Sequence, residues 1–393
     1  MITVFFALLF VPMSHISDAE KSEQENRMLA QKPHISIYDE DGNNYGTQFD
    51  AWYNDHFFGR DAMNYLYNYI KFYINPKGEN HKAMVGQNGF LWLKWDNHIK
   101  MFQNNDLFDA KQLKIIGENI NKFVHNTQKA GVKNVYFMLS NDKESMYPEY
   151  YPSYMKKVGK VSRLEQLIEY MHSKYPQIKI LNFRNKFEEI KKKNTVFFKT
   201  GTHMSNIGTF YEYYFLVNAI KQDYPDLDIL IPDDFDTDIS DDIEKAGTDI
   251  DIYKEFVVLP RYAKSNFKNK ILRMKSGRHK EFKYIDDFNI CVDKKYYKYY
   301  IDCLRGENTN INNKLKLFII GDSFSVGYAR YLFETFSKVD RVFFGEGGDF
   351  FFPEDIVRVF YDNIPDIFIV ETTERFLPRF LTLEFPNNPN VDN

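Results

Sequence analysis

Five short apolar runs, separated by stretches patterned as amphipathic helix, constrain this chain more than any other feature. They are 134–139 (NVYFML), 178–183 (IKILNF), 316–320 (KLFII), 341–344 (RVFF) and 366–371 (DIFIVE). Helical spacing fills 107–129, 162–174, 206–221, 324–337 and 354–362 between them. Short β-branched and aromatic runs alternating with helices predict a parallel sheet covered by helices, an α/β fold. A further short strand is expected at 195–199 (TVFFK). Upstream, 48–75 reads as one helix on the spacing of Met63, Leu66, Ile70 and Tyr73, and 86–93 as a turn followed by a strand. The stretch 223–312 is rich in Asp, Lys and Tyr and poorly patterned. It reads as an insertion, a set of loops or a small subdomain, and it is too long for one structureless loop.

The chain has 393 residues and a net charge of −4, so nothing broad favours nucleic acid. Aromatic content is 17%, which reads as compositional drift rather than as a sugar-binding signature in itself. Residues 2–13 (ITVFFALLFVPM) are too short to span a bilayer comfortably. They fit a secretory leader, with Ser17 and Ala19 as small residues at a cleavage site, though the usual basic start is missing. The expected organisation is a leader or short anchor over 1–19 and a polar and helical segment over 20–78. A main domain follows over 79–393, interrupted at about 223–312. The two cysteines, Cys291 and Cys303, match no metal motif and are candidates for a disulfide.

Chemistry concentrates after the predicted strands. GDSFS (321–325) follows one strand and opens a helix. A serine there points off the C-terminal edge of the sheet, with its N–H at a helix N-terminus. That suits an acyl-transfer nucleophile and half of its oxyanion hole, and it equally suits a plain helix cap. FGEGGDF (344–350) offers Gly345 or Gly348 as a second N–H donor. VETTERF (370–376) places Glu371, Thr372, Thr373, Glu374 and Arg375 at the next strand end, with Thr372 and Arg375 as candidate substrate contacts. Far upstream, FKTGTHMSNIG (198–208) holds His203 before a helix that Asn206 could cap.

This series of blocks resembles the SGNH (GDSL) hydrolases, with one displacement. In that superfamily the histidine usually follows the other blocks. Here it precedes the serine, as in the circularly permuted branch that contains the alginate O-acetylation proteins AlgJ and AlgX and the DHHW proteins. ENRMLAQKP (25–33), FDAWYNDHFFGRDAM (49–63), VGQNGFLWL (85–93), SNDKESMYPEYYP (140–152) and IPDIFIVETTERFL (364–377) are similar to landmarks of that branch, in the same order. The resemblance implies a flavodoxin-like parallel sheet with helices on both faces. It implies an exported protein outside the cytoplasmic membrane that O-acetylates a polysaccharide, with acetyl groups supplied by a separate membrane-bound O-acyltransferase. Ser323 would be the nucleophile and His203 the base. No cofactor and no metal is expected, and the sequence assigns neither the acceptor glycan nor an oligomeric state.

The family motif is D-x-H-W, and this chain has Gly201, Thr202, His203 and Met204. Both the aspartate and the tryptophan are absent. Three readings follow. A Ser–His pair could work without an acid, since removing the acid of a triad costs less than removing either partner. A carboxylate from elsewhere could substitute, Asp142 first and Glu371 second. Or the domain could bind glycan or assemble a complex without reacting. An esterase would share the same nucleophile and differ in how water is excluded.

Overall fold

The computed structural model describes residues 16–22, 27–33, 45–74, 79–256, 262, 264–275, 283–284, 302–344, 352 and 354–385. The apolar run 2–13, Gly345, Gly348 and Cys291 lie outside the described residues. The expected cleavage positions lie inside them, where the Ser17 N–H donates to the His56 carbonyl at 2.9 Å. Among the described residues no helix is long and apolar enough to cross a membrane.

Two small antiparallel pairs come first, β1 (Lys21–Ser22) with β2 (Arg27–Met28) and β3 (Ala83–Val85) with β4 (Leu91–Leu93). The central sheet begins with β5 (Asn134–Ser140) and β6 (Lys179–Leu181). After a separate hairpin of β7 (Phe235–Ser240) and β8 (Asn269–Met274), it takes up β9 (Lys283–Tyr284), β10 (Asp302–Glu307), β11 (Lys316–Gly321), β12 (Lys338–Phe343) and β13 (Ile367–Thr373). Its spatial order is β6-β5-β13-β11-β12-β10-β9. The first five strands are parallel, and β10 and β9 add antiparallel.

Helices cover both faces: α1 (Ala110–Lys129), α2 (Arg163–Lys174), α3 (Asn206–Ile220), α4 (Ser323–Phe333) and α5 (Glu354–Asp362). Successive strand residues point to opposite faces. Tyr136, Met138, Leu317, Ile319, Ile367 and Ile369 therefore pack with Tyr213 and Leu216 of α3 and Tyr328 and Leu332 of α4. Phe137, Leu139, Phe318, Ile320, Phe368 and Val370 pack on the other side with Ile120 and Phe123 of α1, Leu167 of α2 and Phe360 of α5. Burial on both faces is why these strands are apolar runs rather than alternating ones.

Local chemistry sets the helix starts. Asp109 and Gln112 form a capping box at α1, and Ser162 and Glu165 another at α2. Ser205, not Asn206, caps α3, accepting from the Gly208 N–H at 3.2 Å. The single helix expected over 48–75 is two helices, Tyr45–His56 and Arg60–Ile74, broken where Gly59 adopts φ +77°. The strand expected at 195–199 does not join the sheet. Phe197 bridges back to Met204 and closes the turn that carries His203. The unpatterned stretch supplies β7, β8 and the sheet strand β10, and Cys303 on β10 is disulfide-bonded.

Candidate active site

The strand ends of β5, β11 and β13 and the His203 turn meet at the C-terminal edge of the sheet, where open α/β sheets bind ligands. Asp322 organises the middle of this edge. Its Oδ1 accepts the Phe324 N–H at 3.0 Å and caps α4, while its Oδ2 accepts the N–H and hydroxyl of Thr373 at 2.7 and 2.9 Å. One carboxylate thus clamps the end of β11 to the end of β13 and sets Ser323 as the first residue of α4. The Asp322 N–H donates to Glu371 Oε2 at 3.0 Å. A Cβ at Gly321 would lie 2.6 Å from that oxygen, so glycine is what lets the two acids approach.

Ser323 and His203 line one cavity of about 410 Å³, together with Phe198, Asn206, Asp249 and Phe324. The carboxylate on His203 is Asp249. Its Oδ2 lies 2.8 Å from Nδ1 of the ring and also accepts the His203 backbone N–H at 3.1 Å. A carboxylate only accepts, so Nδ1 carries the proton and Nε2 is left as the basic nitrogen. The Asp251 N–H donates to Asp249 Oδ1 at 3.0 Å. Asp251 in turn accepts the Thr202 N–H at 2.9 Å and the Thr202 hydroxyl at 2.6 Å, and the Tyr253 N–H meets the Thr200 carbonyl at 3.0 Å. Segments 200–203 and 249–253 are thus zipped together along their length.

The glycine at 201 belongs to this arrangement. A Cβ there would stand 2.1 Å from both Cγ and Oδ2 of Asp249. The carboxylate occupies the volume that a side chain at 201 would need.

Electrostatics follow from the pairing. Burial disfavours the His203 imidazolium, but the hydrogen bond and charge of Asp249, with Asp251 behind it, raise the pKa above its ordinary 6.5. Burial also works against the Asp249 anion, and the His203 contact overcomes it, holding the carboxyl at about 2. Lys143 is buried beneath the turn, donating to the Phe198 carbonyl at 3.3 Å and to the Gly201 carbonyl, with its ammonium 5.1 Å from the Trp92 ring centroid. Burial pulls its pKa down to about 8, against the pull of Glu144, Asp251 and Asp249. His203, Asp249 and Asp251 bring ligand atoms within 4.8 Å of one another, a set that could hold a metal ion. The two carboxylates already accept from His203, Thr202 and backbone N–H groups, which fits a hydrogen-bonded turn.

The two carboxylates expected to replace the absent acid are engaged elsewhere. Asp142 is fully buried and accepts the Arg375 backbone N–H at 2.8 Å and the Arg375 guanidinium. Glu371 serves the Asp322 N–H. Burial, with Asp322 and Glu212 nearby, pushes its pKa well up from the ordinary carboxylate range. Thr372, expected to touch substrate, is 0% exposed within the sheet. Arg375 packs its guanidinium over the Phe324 ring at 5.6 Å from the centroid. Gly345 lies outside the described residues. Asp249 was not legible in sequence because it lies 46 residues beyond His203 in an unpatterned stretch. The one local hint was the glycine at 201, a vacancy beside the base.

Residues 83–255 match the family model of the SGNH hydrolase-like domain of the acetyltransferase AlgX. This segment belongs to the AlgX-type SGNH-hydrolase-like family. The matched segment of the AlgX-type domain contains both His203 and Asp249. No curated protein matches the sequence. Solved structures similar to the chain include PatB1 of Bacillus cereus carrying a sulfonyl adduct, at 15% identity, covering 75% of this chain and 97% of that one with a TM-score of 0.49. The O-acetyltransferase domain of Pseudomonas putida AlgJ is similar at 13% identity, 79% and 95% coverage and a TM-score of 0.44. A DHHW family protein from Eubacterium siraeum is similar at 13% identity, 78% and 99% coverage and a TM-score of 0.45.

Proposed function

We propose that this protein is an O-acyltransferase that moves acetyl groups onto an extracytoplasmic polysaccharide through an acetyl-Ser323 intermediate. The observation that carries the reading is the Asp249–His203 pair in one cavity with Ser323. His203 Nε2 takes the Ser323 proton as the hydroxyl attacks the acetyl carbonyl of the donor. Asp249 holds the ring in the required tautomer and stabilises the imidazolium. The Ser323 N–H, at the start of α4, faces the developing oxyanion, and Gly345 is proposed as a second donor. The donor's leaving group takes the proton from His203. A sugar hydroxyl then gives its proton to His203 and attacks the acetyl-serine; the Ser323 oxygen leaves and takes that proton back from His203, releasing the O-acetyl sugar and regenerating both residues. The donor is proposed to come from a membrane-bound O-acyltransferase.

The reason to read such a domain as silent was the absent motif acid. A carboxylate 2.8 Å from Nδ1 supports the active reading instead. The test is incubation with p-nitrophenyl acetate and mass spectrometry of the intact protein. A 42 Da adduct on Ser323, absent in Ser323→Ala, is expected on the arithmetic of replacing a hydroxyl hydrogen by acetyl, and an unmodified Ser323 would overturn the reading.

A further inference from the structure

A second cavity, of about 550 Å³, opens on the other side of the His203 turn. Its size falls in the roughly 300–1,000 Å³ range of small-ligand sites. Two of its wall residues back onto the catalytic cavity. Thr202 immediately precedes His203, and Arg375 lies over Phe324, whose ring faces Ser323's cavity. A chain-like ligand could therefore lie across both.

The wall of this cavity carries an unusual side chain. Trp95 is 47% exposed, although an indole gains most by burial. Its backbone is held on both sides. Buried Leu91, Trp92 and Leu93 of β4 precede it, and its carbonyl accepts the His98 N–H at 2.9 Å at the start of helix Asp96–Gln103. Phe376 shares the wall, with the guanidinium groups of Arg375 and Arg379 at 4.8 and 4.0 Å from its centroid. Around these rings stand groups that donate and accept hydrogen bonds, Asn97, His81 and Thr202. Two cations line the wall and each has an acid: Lys94 faces Glu79 at 3.4 Å, and Arg375 is paired with Asp142. That balance does not suit a phosphate. An apolar plate with a mixed polar rim suits a pyranose ring, which has a C–H face and a hydroxyl edge.

We propose that this cavity is a glycan subsite, in which Trp95 stacks on a pyranose neighbouring the one that receives the acetyl group. The position beside the acetylated sugar rests on the acyl-transfer reading, while the binding itself does not. Saturation-transfer NMR with chitotetraose and with tetramannuronate, one neutral and one anionic, tests it on the full chain. At least one should take up saturation on its ring protons. Trp95→Ala should weaken that binding about tenfold, the loss of one well-placed contact, and Trp95→Phe should restore most of it. Trp95→Leu, which keeps apolar bulk without the aromatic plate, should behave like alanine and serves if the alanine variant melts early. No saturation of either sugar, or affinity unchanged in Trp95→Ala and Trp95→Leu, overturns the subsite. Acetylation of Ser323 is measured separately on the parent protein. Acetyl-Ser323 without sugar binding defeats the subsite alone, and sugar binding through Trp95 without acetyl-Ser323 defeats the transferase reading alone.

Discussion

Asp249 stands where a side chain at position 201 would have to go, so the two positions answer for a single carboxylate. Asp249→Asn keeps the shape and loses the charge. Acylation of Ser323 should slow about 10³–10⁴-fold, by analogy with triads that lose their acid. The pH profile should move as well. On the proposed mechanism His203 is the base and works only when neutral, so the rate should rise as pH passes its pKa. In the parent that midpoint lies above 6.5 because Asp249 raises it. In the asparagine variant burial is left to dominate, and the midpoint should fall. A stopped-flow profile from pH 5 to 9 checks both. Gly201→Ala should also slow acylation, by pushing Asp249 off the ring. Pairing Asp249→Gly with Gly201→Asp should recover more activity than either change alone.

At the scale of elements, the base and the acid come from different parts of the chain and need a clamp. Asn206, at the start of α3, donates from Nδ2 to the Ala246 carbonyl at 2.8 Å. Asn269 of β8 donates to the Thr248 hydroxyl at 3.0 Å and is itself buried. Asn206→Ala and Asn269→Ala should each cost about 1–3 kcal/mol, the range for losing such a bond and leaving a buried partner. Activity should fall further than that stability loss implies, because Asp249 drifts from His203; thermal melts run beside the acylation assay show whether it does. The sheet was legible because β5, β11 and β13 are buried on both faces and so appear as continuous apolar runs. Ser323 and His203, which line one cavity, were marked as candidates by a strand-to-helix turn and a family order of blocks. Asp249 was not, since a partner made by tertiary contact leaves no periodic trace. Thr372 was misjudged for a related reason: a polar residue at a strand end was taken as facing the edge, and tertiary packing buries it fully instead.

For the whole molecule, buried acids set the pH response. Burial raises Glu212 and Glu374 to about 7 from 4.5. The folded state then holds protons that the unfolded chain has released, so their contribution is complete below pH 4.5 and is lost as pH rises through 7. Asp249 runs the other way, held at about 2 against 3.8, and its contribution is lost only as pH falls through that window. Lys143, lowered to about 8 from 10.5, recovers stability only above pH 8. The unfolding midpoint should therefore be highest near pH 4–5 and decline toward 8. Glu212→Gln, which keeps the Ser140 contact, should flatten that decline in a series of calorimetric scans.

The acid arrives on a surface excursion rather than on the sheet, and that separates two kinds of failure. Local opening of the excursion, with the β5–β13–β11 core untouched, would leave the circular dichroism unchanged and the chemistry switched off. On the acyl-transfer reading, turnover is then the more sensitive thermometer of this protein. It reports on a few hydrogen bonds around residues 246–253 well before the fold itself gives way.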